Sequence, residues 1–228
     1  MLAAIGRPYT FWWGLHKRRE SCSRIIMRIQ VVRKRVGAMS AMLDGEFTLA
    51  LVDYALRWPA EGEVVALFKD LLADPEDPFR RERLAGHFTA SCWLVSAEGQ
   101  RVLLTHHRKL GLWLQLGGHA DGERDLPAAA LREAEEESGL TGLCITPAIF
   151  DLDRHWIPEH KGVLAHWHYD VRYVVRAGTC EAFTISEESL DLAWRDIAVL
   201  ANDPAADASV RRMAGKWLAL CRPESLER

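Results

Sequence analysis

Glu133, Glu136 and Glu137 stand at i, i+3 and i+4, a spacing that stacks three carboxylates on one face of a helix. Like charges held that close repel one another unless a cation sits among them. Hard oxygen donors on a single face suit Mg²⁺, with Mn²⁺ as the alternative, shared with the phosphates of a substrate. The ordinary reading of a glutamate run is a solvated acidic face, and Glu135 fits that reading. The setting favours the cation for the other three. Upstream lies Gln115-Leu116-Gly117-Gly118-His119, whose glycine pair lets backbone turn tightly or approach a ligand closely. Asp125 and Pro127 then suit the cap and first turn of a helix that runs on Ala and Leu and stops at Gly139.

The whole segment Gly118 to Leu140 resembles the box of the Nudix hydrolase family: Gly, five residues, Glu, seven residues, then Arg-Glu-apolar-x-Glu-Glu-x-Gly-apolar. Here the closing run is Arg132-Glu133-Ala134-Glu135-Glu136-Glu137-Ser138-Gly139-Leu140, and the one departure is Arg124 where the box has its first Glu. The resemblance implies an α/β fold, a Nudix-type α/β/α sandwich around a mixed β-sheet. It implies a metal-dependent hydrolase that cleaves the diphosphate linkage of a nucleoside diphosphate joined to another moiety, by attack of water on phosphorus. Glu133, Glu136 and Glu137 would hold the metal and, with Arg132, form the catalytic set, Glu133 serving as general base if the metal leaves it free. In the family the first box Glu mostly pairs with the box Arg. Arg124 cannot make that contact, which leaves Glu123, or Glu136 one turn along, to pair with Arg132, and Arg124→Glu is expected to be tolerated. Two other readings follow from the same fold. One is a catalytically weak nucleotide-binding or sensing module, which the departure at Arg124 would signal. The other is an isomerase relying on Cys92.

Two further constellations could touch substrate. In Ala165 to Asp170, the residues His166, His168 and Asp170 alternate onto one face of a strand with Trp167 and Tyr169 on the other, and His119 and His155 could join that patch. The stripe is either the wet face of a sheet or the lining of a cleft, where imidazole would bind phosphate or sugar more readily than Mg²⁺. Just before the Gly-Gly loop, His106, His107, Arg108 and Lys109 form a basic cluster that is either solvated or set against the diphosphate, and Trp113 stacks on a base or packs. Gly117, Gly118, His119, Arg108, Lys109, His166, His168 and Asp170 are therefore the expected substrate contacts. Glu187 and Glu188 are weaker candidates for an extra base or ligand.

The elements that must position these groups are readable in outline. Phe47 to Leu56 and Glu63 to Leu72 have helical spacing, broken by Trp58 to Gly62. His87 to Ser96 and Arg101 to His106 read as a hairpin around Ala97 to Gln100, and Leu112 to Leu116 leads into the box. Leu143 to Phe150, Val163 to Arg176 and Cys180 to Ile185 read as strands, Arg195 to Leu200 as a short helix, and Ser209 to Cys221 as an amphipathic helix with Val210, Met213, Trp217 and Leu220 on one side. Residues 86–222 are thus expected to form the hydrolase domain with its C-terminal helix, and 41–85 a helical extension.

Charge sets residues 1–40 apart. They carry Arg7, Lys17, Arg18, Arg19, Arg24, Arg28, Arg33, Lys34 and Arg35 against Glu20, although the whole chain of 228 residues has a formal net charge of −3. This basic leader is read as disordered or as a start assigned too far upstream, with Met39 or Met42 the true beginning. The alternatives are a transit peptide or a surface-binding helix built on Phe11, Trp12, Trp13 and Ile25. The overall charge gives no footprint for nucleic acid, and no apolar stretch is long enough for a membrane span. Five scattered cysteines, with no Cys-x-x-Cys pair, argue against a zinc site or a disulfide framework and for a reducing cytoplasm, each being read as a small buried residue. The expected partner is a small phosphorylated nucleotide, and a homodimer is compatible with the fold.

Overall fold

The computed structural model describes residues 22–108, 110–160, 162–185 and 189–221, with side chains from residue 38 onward. The chain divides into two compact units, residues 1–40 and 41–228. Phe11, Trp12, Trp13, Lys109, Glu187 and Glu188, and the side chain of Ile25, lie outside the described residues.

Helix α1 (Cys22–Arg57) begins well upstream of the expected Phe47, because the stretch before it contains no proline. A 3₁₀ turn at Pro59–Glu61 leads into α2 (Gly62–Leu72). Strands β1 (His87–Val95) and β2 (Arg101–His107) follow, then β3 (Trp113–Leu114), β4 (Leu116–His119) and α3 (Leu126–Ser138). The remaining elements are β5 (Cys144–Ile157), β6 (His166–Arg176), β7 (Ser189–Asp196), α4 (Ile197–Asn202) and α5 (Ala208–Leu220). The expected strand at Cys180–Ile185 is not one. That segment is irregular chain tied down by single hydrogen bonds, from Thr184 N to Ser138 O and from Trp194 Nε1 to Glu181 O, with no ladder partner.

The seven strands form one mixed sheet in which β1 is central. It pairs parallel with β6 and antiparallel with β4, while β2 diverges from it and carries β3 and β7. The parallel β1–β6 register, with His87 opposite His168, Thr89 opposite Asp170 and Ser91 opposite Arg172, decides which side chains share a face. On one face Phe88, Ala90, Tyr169, Val171 and Tyr173 pack with Phe47, Leu51, Tyr54 and Phe68 of α1 and α2 and with Ala129 and Ala130 of α3. The helical extension is therefore a structural layer of the domain, not an appendage. On the other face Trp93, Val95 and Phe150 pack with Ile197, Val210, Met213 and Trp217 of α4 and α5. The apolar stripe of α5 holds to Trp217 but Leu220 is 42% exposed.

Between those apolar groups and the far end of the second face runs a buried charge network. Arg172 donates to Asp170, Asp151 and Asp153, at 2.7, 3.0 and 3.1 Å. Arg212 and Lys216 of α5 reach Asp151 at 2.7 Å each, and Lys216 also donates to Tyr54 Oη at 2.6 Å. Each carboxylate at the centre has a cationic partner, the condition under which buried charge is tolerated. Of the four cysteines whose side chains are described, only Cys92 is buried; Cys144, Cys180 and Cys221 are exposed, contrary to the expectation of small core residues. Cys144 opens β5 and Cys221 follows α5, where the chain leaves the core, and Cys180 lies in the irregular segment after β6.

Candidate active site

Helix α3 takes its start from the Asp125 carboxylate, which accepts from Ala128 N at 3.1 Å, and its end from Gly139 at φ 68°. That span carries Glu133 and Glu137 to the β4 backbone. Successive residues of β4 point to opposite faces. Gly118 lies opposite Ala90, so its missing side chain faces α3, and a Cβ there would lie 2.5 Å from Glu133 Oε2. Glycine is what lets the Glu133 carboxylate rest against the strand. Gly117, at φ 153°, lies against Ser91, whose Cα would be 2.5 Å from an added Cβ, and its N–H donates to Glu137 Oε1 at 2.9 Å.

Glu133 and Glu136 line a cleft of about 800 Å³ together with Gly118, His119, Asp121, Glu123, Arg132 and Arg81. Glu137 is not among the lining residues; it is 9% exposed and accepts from Gly117 N. Arg132 donates to Glu133 at 3.0 Å and lies 3.9 Å from Glu136. Glu133 and Glu137, largely enclosed beside β4, and the exposed Glu136 are hard, anionic oxygen donors of the kind a divalent cation takes. The chemistry of the donors and the glycine-cleared space beside Glu133 both fit Mg²⁺ or Mn²⁺.

Arg124 turns away from this cleft. Its guanidinium pairs with Asp44 of α1 at 2.5 Å and Asp77 at 3.2 Å, and lies over the Phe79 ring at 4.6 Å. Glu123 does not replace the missing box carboxylate either; it accepts from Asp125 N at 2.9 Å. Of the two substitutes that the sequence left open, Arg132 uses the one on its own helix.

Arg81 and Asp121 are functional candidates that the sequence reading missed. Arg81 makes a two-point ion pair with Asp121, a non-glycine residue at φ 53°, and both line the cleft. Neither carries a local signal, because Arg81 is one of a run of charged residues at the end of the extension.

The histidine stripe of β6 does assemble. His166, His168, His119 and His155 come together with His87, which the sequence reading did not single out. Burial lowers the pKa of His119 to about 4, aided by the charge of Arg81, and burial with neighbouring imidazoles drives His168 far down. Asp170 does not join them: it is 1% exposed and accepts from Thr89, Ser91, Gln115 and Arg172, inside the charge network. Arg108 is not among the cleft residues; it donates to Ser189 O at 2.9 Å. Trp113 stacks on His106 at 5.1 Å and is covered by Arg195. Cys92 is fully buried in the core beside Ala134, with its pKa pushed up first by burial, so it cannot serve an isomerase as a thiolate.

The Nudix domain family model matches residues 86–214. Among solved structures, the chain is similar to a NUDIX family hydrolase from Clostridium perfringens, at 25% identity over 60% of this chain and 98% of that one, with a TM-score of 0.47. It is similar to a C. elegans Ap4A hydrolase at 20% identity over 58% and 96%, TM-score 0.47, and to the NUDIX domain of Shewanella oneidensis NrtR complexed with ADP ribose at 19% over 64% and 92%, TM-score 0.44. At these scores none of them carries a substrate over to this chain. No curated protein matches it in sequence.

Proposed function

The chain belongs to the Nudix family and is a Nudix-type pyrophosphohydrolase acting on acid anhydrides, and from that premise we propose that it hydrolyses a nucleoside diphosphate linked to another moiety, with Mg²⁺, or Mn²⁺ in its place, held by Glu133, Glu136 and Glu137. The observation that carries the proposal is the packing of Glu133 and Glu137 against the Gly117-Gly118 backbone, with the exposed Glu136 on the same helix and Arg132 braced against Glu133 and Glu136.

A bound divalent cation would neutralise the diphosphate oxygens and lower the pKa of the attacking water. The chain's own groups do the rest. Where the cation is held by Glu136 and Glu137 and leaves Glu133 free, that carboxylate, enclosed between Gly118 and Arg132, would take the water proton as the water oxygen bonds to phosphorus; the bridging P–O bond breaks and its electron pair leaves with the second phosphorylated fragment. Arg132 holds Glu133 in position by charge-assisted hydrogen bonding. Arg81 and His119, at the rim of the cleft, supply donors to the phosphates, and His166 and His168 stand behind His119. Arg108, which is not among the cleft residues, would contact substrate only where a long leaving group extends beyond the cleft.

The sensing-module reading loses its motive. It rested on Arg124, and Arg124 is engaged in anchoring α1 and the Asp77 loop, while the sequence retains Glu133, Glu136 and Glu137. The deciding experiment is a Mg²⁺-dependent hydrolysis screen. It should cover nucleoside diphosphate sugars, dinucleoside polyphosphates, nicotinamide and flavin dinucleotides, coenzyme A and oxidised nucleoside triphosphates. Release of a nucleoside monophosphate from one class is expected. Binding without release from every class would establish a sensor instead.

A further inference from the structure

We propose that His87, His119 and His168 form a second metal site, distinct from the carboxylate face, that takes a borderline transition cation such as Zn²⁺ through three neutral imidazoles. The proposal is independent of which diphosphate is hydrolysed.

Each of the three rings offers a nitrogen, and these atoms lie within 4.8 Å of one another. They come from three strands. His87 begins β1, His119 ends β4 and His168 stands opposite His87 in β6, so the sheet register itself gathers them on one face. In a tetrahedral zinc site with bonds of about 2.0–2.1 Å the ligand nitrogens are about 3.3 Å apart. His119 and His168 are only half-buried, which leaves their rings more room than His87 has to close that difference.

His87 is the most telling member. It is 1% exposed, and its Nδ1 lies 3.3 Å from the Arg83 carbonyl. A carbonyl oxygen only accepts, so Nδ1 carries the proton and Nε2 keeps a lone pair. That Nε2 is buried and has no hydrogen-bond partner among the described residues. A buried lone pair without a donor is costly, and an electrophile at the centre of the cluster relieves it. The arrangement, one ring nitrogen on a backbone carbonyl and the other turned inward, is how metal-bound histidines are oriented. His166 repeats it. Its Nδ1 lies 2.7 Å from Leu164 O, and its Nε2 is 3.1 Å from His168 Nε2, near the separation of two imidazoles on one ion. A fourth nitrogen donor is thus within reach.

The donor types separate the two sites. Imidazole suits Zn²⁺, Co²⁺, Ni²⁺ or Cu²⁺, whereas Mg²⁺ prefers the carboxylates. The geometry sets them on two sides of β4, Gly118 toward Glu133 and His119 toward His87 and His168, with His119 bordering the cleft that Glu133 also lines.

The test uses the full chain, stripped with a chelator and titrated with Co²⁺ and, separately, Zn²⁺ in the absence of Mg²⁺ and substrate. Wild type should retain one equivalent through dialysis, show the visible bands of four-coordinate, nitrogen-ligated Co²⁺, and melt at a higher temperature with Zn²⁺. His119→Ala and His168→Ala should lose all three effects, and the double variant Glu133→Gln/Glu137→Gln should keep them. Because His87 and His168 sit in the sheet, circular dichroism accompanies each variant, and His119→Ala, at the half-buried edge, decides if His168→Ala does not fold. Absence of nitrogen-ligated Co²⁺ in wild type overturns the proposal. So does its persistence in folded His119→Ala, or its loss in the glutamate variant alone.

Discussion

Replacing Gly118 by Ala tests whether the position of the Glu133 carboxylate is what the box glycine protects. The added Cβ would lie 2.5 Å from Glu133 Oε2 and 2.7 Å from its Cδ, while ordinary contact begins at about 3.4 Å, so the carboxylate must withdraw by about 0.9 Å. Gly118 does not need a left-handed backbone, and the atoms in the way are the end of a flexible side chain, so the fold absorbs the change. Catalysis does not. Misplacing a reacting group by about 1 Å costs on the order of 10²-fold, equivalent to about 2.7 kcal/mol of barrier. The expected result is a kcat lower by about 100-fold on the best substrate of the screen, with the melting temperature within about 3 °C of wild type. Gly117→Ala is the contrast. There φ is 153° and the Cβ would meet Ser91 Cα at 2.5 Å, a backbone atom, so stability should fall together with activity. If Gly118→Ala turns over within about threefold of wild type, the Glu133 carboxylate does not act from this position and the assignment of the base is wrong.

Glu136→Gln and Glu137→Gln, which remove charge at nearly constant volume, should each lower activity by about 10³-fold or more while both proteins stay folded, and steady-state kinetics with varied Mg²⁺ reads the loss. Arg124→Glu, which the box pattern alone would have tolerated, sets a third carboxylate beside Asp44 and Asp77 and uncovers Phe79; a melting temperature lower by about 5 °C with kcat little changed is expected. Arg172→Met leaves Asp151, Asp153 and Asp170 without their shared cation, and thermal unfolding should shift down by about 10 °C or more. A chain beginning at Met42 should keep wild-type activity, since residues 41–228 form a compact unit and, among the described side chains of α1, the first buried one is Phe47; loss of more than half the activity would show that the leader belongs to the enzyme.

What was legible in the sequence was what repeats over a few residues. The carboxylate face of α3 follows from a 3.6-residue period and two local caps, and the alternation of His166, His168 and Asp170 from the two-residue period of a strand. What failed required knowing which distant segments meet. The same stripe on β6 holds a cleft-side histidine cluster at one end and a buried salt-bridge network two residues on. Only the parallel pairing with β1 and the return of β5 decide that His168 meets His87 while Asp170 meets Thr89 and Arg172 meets Asp151. Lys216 and Arg212 of the amphipathic α5 carry no local signal of burial, yet Lys216 is 6% exposed because α5 lies over Asp151. Arg124 shows the same limit in the motif itself. Read locally, an arginine at a glutamate position suggests a failing catalytic box. In the fold it is the point where α1, absent from the motif, is anchored to the loop that feeds α3, and the Arg132 contact it gives up is recovered within the helix by Glu133 and Glu136. A departure from a box therefore counts against activity only when the displaced interaction has no substitute within reach, and here the adjacent Glu133 supplies it, with Glu136 one turn along.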